Sequence, residues 1–223
     1  MKTAVRAVGD RWHVSRRRML ERLAQGGIRD ARVLDALAAV PRHSLVPEAL
    51  GHRAYDEAPL PIGAGQTISA PGTVAAMSAA LALGGSEKVL EIGTGSAYQA
   101  AVLARLAARV ISIERVPALA SRARRALDRL GVTNVVVQLG DGTRGWPAEA
   151  PYDAIVVTAG GPEIPTPLLA QLAPGGRLIG PFGPRGAQQL VRVRRDATGR
   201  LHAPERLGAA RFVDLVGEHG WGD

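Results

Sequence analysis

The chain has 223 residues, a formal net charge of +8 and 46% hydrophobic residues, which fits one globular domain with an N-terminal extension. No apolar run approaches the roughly 20 residues of a membrane span, and no signal peptide is evident. Cysteine is absent, which excludes disulfides, thiolate metal sites and cysteine nucleophiles. We therefore expect a cytoplasmic protein without a membrane partner.

The positive charge and the histidines give little indication of a partner. All cations except Lys2 and Lys88 are arginines, and only Arg16–Arg18 concentrates them. The charge is compatible with an anionic partner, but solvated helix faces explain it more simply. We expect no nucleic-acid partner. The five histidines show no helical pairing with a carboxylate, so no metal site is expected.

Residues 1–87 predict a helical cap and a binding loop. Amphipathic patterns predict helices over Arg16–Gln25 and Asp30–Ala39, the second ended by Pro41. Residues 51–71 are rich in Gly and Pro and have little periodicity. A structureless stretch of that length is usually functional or disordered, and its apolar residues favour a functional loop. A further helix is predicted at about 72–83.

From residue 88 onward, strand and helix patterns alternate, which is typical of a parallel sheet covered on both faces. We predict an α/β, mostly parallel doubly wound sheet in residues 88–223, with residues 1–87 packed on it as one structural unit. The predicted helices are Ser96–Ala107, one from Pro117 to Gly131, and Pro167–Leu172. The predicted strands are Val89–Gly93, Val110–Glu114, Val135–Leu139, Ala154–Thr158, Arg177–Ile179, Leu190–Arg194 and Ala210–Val216.

The most informative segment is Val-Leu-Glu-Ile-Gly-Thr-Gly at residues 89–95. It predicts a buried strand followed by a tight glycine turn, in which a ligand can approach the backbone closely. A dinucleotide site would carry a third glycine where Tyr98 stands, and it would place a pyrophosphate on the helix N-terminus. Glu91 also lies within the motif. The loop therefore favours a ligand without phosphates, such as S-adenosylmethionine.

Polar residues follow three of the predicted strands. Glu114 ends the second strand, and its carboxylate can accept both hydroxyls of a ribose. Asp141 ends the third strand and can accept from an adenine amino group, while Thr158 ends the fourth. The alternatives are a Glu114 paired to Arg109 or Arg115 and a simple Asp-Gly turn. Because parallel strands bind ligands at their carboxyl ends, the combination favours a nucleoside site.

Seven motifs, in chain order, resemble those of the protein-L-isoaspartate O-methyltransferase family over roughly residues 16–216. The Gln-Thr-Ile-Ser-Ala-Pro segment is the most specific of them, because the nucleoside-side motifs occur in many methyltransferases. The motifs are Val40-Pro41-Arg42-His43, Ala54-Tyr55-Asp56, Pro59-Leu60-Pro61-Ile62-Gly63, Gln66-Thr67-Ile68-Ser69-Ala70-Pro71, Glu91-Ile92-Gly93-Thr94-Gly95-Ser96, Gly140-Asp141-Gly142 and Pro174-Gly175-Gly176-Arg177-Leu178.

The resemblance implies a Rossmann-like class I methyltransferase that uses S-adenosylmethionine and releases S-adenosylhomocysteine. The implied acceptor is the α-carboxylate of an L-isoaspartyl residue in a damaged protein, whose methyl ester then closes to a succinimide. A monomer is expected. The implied cofactor-binding residues are Glu91, Gly93, Thr94, Gly95, Ser96, Glu114, Arg115, Asp141, Gly142 and Thr158. The implied substrate-binding residues are Gln66, Ile68 and Val213.

Ser69 corresponds to the family's active-site serine, with Thr67 beside it. The acceptor carboxylate is ionised at neutral pH and needs no general base. No His–Asp partner motif surrounds Ser69, so we interpret it as a donor that orients the acceptor rather than as a nucleophile. The alternative is an N-cap of the following helix.

Two departures from the family pattern bear on these roles. Ala97 replaces a glycine after Gly-Ser and is expected only to tighten the turn. Asp214 replaces the proline of Phe-Val-Pro-Leu, a segment that borders the acceptor pocket in the family, so this departure bears on the acceptor rather than on the donor.

Three other functions stay open. A related O-methyltransferase could modify an aspartate of a ribosomally made peptide. A nucleic-acid methyltransferase is disfavoured, because residues 158–162 lack the Asn/Asp-Pro-Pro-aromatic motif of adenine enzymes and no cysteine is present. A non-catalytic S-adenosylmethionine-binding protein would have no reason to keep Thr67 and Ser69.

Overall fold

A computed structural model describes residues 3–222, with side chains described from Trp12 onward. The helices of this part are α1 Thr3–Gln25, α2 Ala31–Ala39, α3 Pro71–Leu81, α4 Tyr98–Leu103, α5 Pro117–Arg129 and α6 Thr166–Ala170. The strands are β1 Leu60–Gly63, β2 Gln66–Ile68, β3 Lys88–Ile92, β4 Arg109–Glu114, β5 Val135–Leu139, β6 Tyr152–Val157, β7 Leu172–Phe182, β8 Gln188–Arg194 and β9 Glu205–Ala210.

The main sheet has seven strands in the order β5-β4-β3-β6-β7-β8-β9. The strands from β5 to β7 are parallel, and β8 and β9 join antiparallel at one edge. The chain runs outward from β3 to β5 and then returns to the other side of β3 with β6. Ligands bind at the carboxyl ends of strands where the order reverses in this way. This topology confirms the predicted α/β fold.

Both faces of the sheet are covered by apolar residues. Alternation along β3 shows the division, because Val89 belongs to one buried cluster and Leu90 and Ile92 belong to the other. The first cluster also contains Met19 of α1 and Leu37 of α2. The N-terminal helices thus share a core with the sheet.

The N-terminal part differs from the sequence prediction in two ways. Helix α1 begins at Thr3 rather than at Arg16. The segment predicted to be a structureless loop contains the antiparallel hairpin of β1 and β2. Its turn is formed by Ala64 and Gly65, with φ of 52° and 69°. An alanine in this left-handed region is an uncommon turn signal, and Pro61 within β1 further disguises the strand.

The C-terminal part also needs corrections. Strand β7 is longer than the predicted Arg177–Ile179 and begins where α6 has ended. The predicted final strand Ala210–Val216 is wrong, because β9 ends at Ala210. The residues after it cross to the end of β6, where Gly160 pairs with Asp214. Helix α4 is shorter than predicted.

None of the helices in the described part of the chain is both long and apolar enough to cross a membrane.

Candidate active site

A cavity lies at the carboxyl ends of β3, β4 and β6, as the strand order predicts. It brings together most of the residues singled out from the sequence, including the glycine loop, the end of β4 and the segment after β2. Its lining is Gln66, Thr67, Ile68, Ser69, Val74, Ile92, Gly93, Thr94, Gly95, Ser96, Tyr98, Gln99, Ile113, Glu114, Arg115, Val116, Gly142, Thr158, Ala159, Val213, Asp214, Leu215 and Val216.

Gly93 requires glycine for two separate reasons. Its φ is 97°, in the left-handed region that side chains disfavour. A Cβ on this residue would lie 2.5 Å from the Thr158 Oγ1 atom. The Thr158 hydroxyl donates to the backbone oxygens of Ile92 and Gly93, at 2.9 and 2.8 Å. Thr158 therefore fixes the loop from the neighbouring strand.

Glu114 binds the same loop from β4. Its Oε2 accepts from the Gly95 N–H at 2.8 Å, and its Oε1 accepts from the Val116 N–H at 2.9 Å. Arg109, proposed above as an alternative partner, instead pairs with Glu149 at 2.8 Å. The carboxylate is held by backbone amides and lines the cavity, and its remaining lone pairs can accept further hydrogen bonds.

Glu91 lies beneath the cavity lining rather than in it. It is fully buried, the Ser112 hydroxyl donates to its Oε2, and its Oε1 has no hydrogen-bond partner. Burial raises the pKa of Glu91 to about 8; nearby Glu114 adds to the rise, and the Ser112 hydrogen bond opposes it. Ser112 also contacts the Thr94 hydroxyl at 2.5 Å, which links Glu91 to the loop.

Asp141 is not brought into the cavity, although the next residue, Gly142, lines it. The Asp141 Oδ1 accepts from the backbone and side chain of Thr143, and Oδ2 accepts from the Glu218 N–H at 2.8 Å. These hydrogen bonds lower the pKa of Asp141, against the opposing effect of burial. In this structure the carboxylate fastens the C-terminal segment to the end of β5.

The sequence interpretation missed two cavity residues at the start of α4. Tyr98 and Gln99 are both buried, and the Gln99 side chain donates to the Ser78 hydroxyl at 3.0 Å. Buried Arg42 lies 4.7 Å from the Tyr98 ring centroid, and burial lowers its pKa to about 10. The signal was present in the sequence, since Tyr98 replaces the third glycine of a dinucleotide loop.

Ala97, which precedes this helix, adopts a φ of 69°. The expectation that alanine only tightens the turn is therefore incomplete. The residue occupies a left-handed conformation that a glycine would adopt without strain.

Thr67 and Ser69 lie on the opposite wall, at the hairpin and the start of α3. The N-cap of α3 is Ala70, without a side-chain hydrogen bond, so the capping alternative for Ser69 is wrong. Within the described residues, neither hydroxyl has a hydrogen-bond partner in the protein. Both are therefore available to a ligand. Gln66 and Ile68 line the same wall.

A groove of about 770 Å³ joins the cavity at Thr67, Ser69, Thr158 and Val213. One wall is the hairpin and the start of α3; the other is β9 with the residues that follow it. The groove lining is Glu57, Pro59, Thr67, Ser69, Ala70, Gly72, Thr73, Ala76, Thr158, Leu190, Leu207, Gly208, Ala209, Ala210, Arg211, Phe212 and Val213.

The C-terminal segment closes one side of the cavity. Gly160 donates to the Val213 oxygen at 2.7 Å and accepts from the Leu215 N–H at 2.9 Å. The N–H of the intervening Asp214 takes no part in this pairing, so the family's proline would preserve both hydrogen bonds.

The Asp214 side chain takes part in a different contact, because its carboxylate accepts from Arg185 Nε at 2.9 Å. The same Arg185 guanidinium lies 4.3 Å from the Trp221 ring centroid.

The cavity has the chemistry that an S-adenosyl nucleoside requires. A glycine backbone permits close approach, the Glu114 carboxylate supplies an acceptor, and aliphatic Ile92, Ile113 and Val116 supply apolar walls. The lining lacks the lysine that commonly binds phosphate groups in glycine-rich loops. The residues present therefore fit the donor expected from the sequence.

Comparisons with known proteins agree with this geometry. A model of the family described as protein-L-isoaspartate(D-aspartate) O-methyltransferase matches residues 14–220. Protein-L-isoaspartate O-methyltransferase 1 of Syntrophobacter fumaroxidans is 58% identical over 93% of this chain and 96% of that protein. The Syntrophus aciditrophicus protein-L-isoaspartate O-methyltransferase is 54% identical over 95% of this chain and 98% of that protein.

Solved structures show the same likeness. A protein-L-isoaspartate O-methyltransferase superposes with a TM-score of 0.82 at 29% identity, covering 92% of this chain and 67% of that one. A putative enzyme of this type from Plasmodium falciparum, in complex with S-adenosyl-L-homocysteine, superposes with a TM-score of 0.78 at 26% identity, covering 90% of this chain and 98% of that one. This chain belongs to the protein-L-isoaspartate(D-aspartate) O-methyltransferase family.

Proposed function

We propose that this chain transfers a methyl group from S-adenosylmethionine to the α-carboxylate of L-isoaspartyl residues in proteins. The names of its relatives state protein-L-isoaspartate O-methylation for those proteins. One observation supports the assignment of residues to a donor side and an acceptor side. The cavity and the groove meet at Thr67, Ser69, Thr158 and Val213. A donor in the cavity and a polypeptide in the groove would therefore face each other at these residues.

The donor side consists of the glycine loop and the strand ends. The proposed contacts are backbone groups of residues 93–96, the Glu114 carboxylate toward a ribose, and Arg115, Gly142 and Thr158 around the nucleoside. Glu91 supports the loop through Ser112. Asp141 acts indirectly, because it fastens the C-terminal segment whose Leu215 and Val216 line the cavity.

The acceptor side consists of the hairpin and Val213. An isoaspartyl carboxylate is already ionised at neutral pH, so this chain need not remove a proton. Ser69 and Thr67 donate hydrogen bonds that orient it, and Gln66, Ile68 and Val213 exclude water around it. Alignment of this kind supplies on the order of 7–11 kcal/mol.

S-adenosylmethionine supplies an electrophilic methyl group on a sulfonium sulfur. An acceptor oxygen forms a bond to the methyl carbon as the carbon–sulfur bond breaks, and the electron pair stays on sulfur. The neighbouring backbone nitrogen then attacks the ester, methanol leaves, and a succinimide forms without further help from the protein. This route requires that one carboxylate oxygen points at the cavity while the other is held by Ser69.

The test is labelled methyl transfer to two peptides that differ only in an isoaspartyl or an aspartyl residue. We expect labelling of the isoaspartyl peptide only, and release of labelled methanol as the ester closes. Equal labelling of both peptides, or of neither, contradicts the proposal. Labelling confined to the aspartyl peptide would favour a peptide-modifying enzyme instead.

We propose that residues 1–87 and 88–223 form one unit, supported by the core that Met19 and Leu37 share with the sheet. Monomeric action in the cytoplasm, without a nucleic-acid partner, stays a prediction. Sedimentation of the purified chain tests the monomeric state.

A further inference from the structure

The groove beside the active site has one wall that carries an unpaired positive charge. Within the described residues, the charged side chains that line it are Glu57 and Arg211. Glu57 lies on the hairpin side, where its Oε1 accepts from the Gly72 N–H at 2.8 Å. Arg211 is exposed on the other wall, directly after β9.

Arg211 has no structural partner in the described part of the chain. Neighbouring arginines on β8 differ in this respect, because Arg192 and Arg194 both contact the Glu205 carboxylate, at 2.7 and 3.9 Å. Arg185 likewise pairs with Asp214. An unpaired guanidinium that lines a groove is free to bind an anion with its planar set of donors.

Arg211 also lies close to the reaction point along the chain. Val213, two residues further on, lines both the groove and the donor cavity. Extended backbone rises about 3.3 Å per residue, so a polypeptide lying along this wall passes Arg211 within about two residues of the acceptor. A carboxylate is the anion that such a polypeptide carries.

We propose that Arg211 is a specificity residue that binds a second carboxylate of the acceptor polypeptide, within about two residues of the methylated one. The proposal rests on the function proposed above and adds a preference between acceptors. The carboxylate has two possible sources, an acidic side chain or a free C-terminus, which share the same chemistry at the guanidinium.

The experiment compares the KM of isoaspartyl peptides that carry either Glu or Gln at each of the two positions on either side of the acceptor. A further pair ends two residues after the acceptor, with a free carboxylate or an amide. We expect one arrangement to lower KM about fivefold at low salt, the size of a partly exposed ion pair. The preference should fall at 0.5 M salt because exposed charges are screened. If only the free C-terminus lowers KM, the source is the terminus rather than a side chain.

The variants are Arg211→Gln and Arg211→Glu, with Arg206→Gln as the matched control. Arg206 is an exposed arginine of β9 that does not line the groove. We expect Arg211→Gln to remove the preference, Arg211→Glu to favour peptides with Lys at the same position, and Arg206→Gln to keep it. The affinity for S-adenosylhomocysteine, measured by calorimetry, should be unchanged in all three variants.

Three results would overturn the inference. The first is a KM that is independent of flanking charge while the isoaspartyl peptides are methylated, which leaves the proposed function intact. The second is equal loss of the preference in Arg206→Gln, which indicates general surface charge. The third is weaker S-adenosylhomocysteine binding in Arg211→Gln, which places the residue on the donor side. Absence of methylation of every peptide would instead reject the proposed function itself.

Discussion

The donor cavity and the acceptor groove meet at Ser69, but they are built differently. The cavity is formed by strand ends of the central sheet, and its supports, Glu91 and Ser112, are fully buried. The groove lies between a short hairpin and β9, the edge strand of the sheet. Its charged residues, Glu57 and Arg211, are exposed.

The two regions therefore tolerate different substitutions. In the cavity, binding groups belong to the core, so altering them affects folding and donor binding together. In the groove, side chains on exposed elements can change with little effect on the core, which allows acceptor preference to vary between relatives. Variants of the two regions should therefore separate stability and donor affinity from acceptor kinetics.

The largest effect is expected at Glu91, as a dependence of stability on pH. Its pKa is raised to about 8 in the folded state, so the folded protein holds a proton that the unfolded chain loses above about pH 4.5. Stability should fall as the pH rises from about 4.5 through 8, by up to about 1.4 kcal/mol per pH unit. Glu91→Gln mimics the protonated form and should remove this decline.

Urea unfolding between pH 5 and pH 9 measures this effect. The exposed Glu48→Gln variant is the control and should keep the decline of the wild type. A Glu91→Gln protein with an unchanged pH dependence would show that Glu91 is ionised in the folded state.

Gly93→Ala should separate close contact from backbone strain. Its Cβ would lie 2.5 Å from Thr158 Oγ1, so we expect the affinity for S-adenosylhomocysteine to fall by at least about 100-fold, or about 3 kcal/mol. Gly27→Ala is the matched control, because its φ of 102° is similar and nothing lies within 4 Å of the added carbon. Gly27 lies outside the cavity, so Gly27→Ala reports backbone strain alone through the free energy of unfolding. Urea unfolding that finds equal losses of unfolding free energy in both variants would refute the close-contact explanation.

Ser69→Ala should lower kcat by about 10- to 100-fold, because one group that aligns the acceptor is lost. The affinity for S-adenosylhomocysteine and the melting temperature should stay close to those of the wild type, since Ser69 has no partner in the protein. Ser44→Ala, an exposed serine that donates to the Pro41 oxygen, is the control. An unchanged kcat in Ser69→Ala would remove the positioning role.

Asp214→Asn should have the smallest effect. The Asp214 side chain is 38% exposed and that of Arg185 is 58% exposed, and exposed ion pairs contribute little. We expect a change below about 1 kcal/mol in unfolding free energy and at most about threefold in acceptor KM. Leu215→Ala, at a buried neighbour, should cost about 2–5 kcal/mol. A tenfold change in acceptor KM in Asp214→Asn would instead show that the aspartate at the position of the family's proline has a functional role.

The sequence predicted the donor cavity better than it predicted the acceptor groove. The glycine loop and Glu114 could be assigned because parallel strands bring their carboxyl ends to one edge, whatever the rest of the chain does. Asp141 followed the same rule, yet its carboxylate faces Glu218 and lies outside the cavity lining. The position of a residue at a strand end therefore predicts that it lies near the site more reliably than it predicts where its side chain points.

The acceptor side depends on contacts between distant segments. The hairpin was missed because Ala64-Gly65 is a weak turn signal and Pro61 interrupts β1. Residues 211–216 were assigned to a strand because apolar residues recur along them as they do in a strand. Their backbone hydrogen-bond partner, however, is Gly160 after β6 rather than a residue of β8. The groove forms only where these two distant segments come together, so the sequence of neither segment alone predicts it.

The most direct measurement is a crystal structure of the protein with S-adenosylhomocysteine and an isoaspartyl peptide. We predict the nucleoside in the cavity beside Glu114, the peptide in the groove, and the acceptor carboxylate at the junction within hydrogen-bonding distance of the Ser69 hydroxyl. A peptide bound elsewhere on the surface, or an acceptor carboxylate remote from Ser69 while the nucleoside occupies the cavity, would contradict the account.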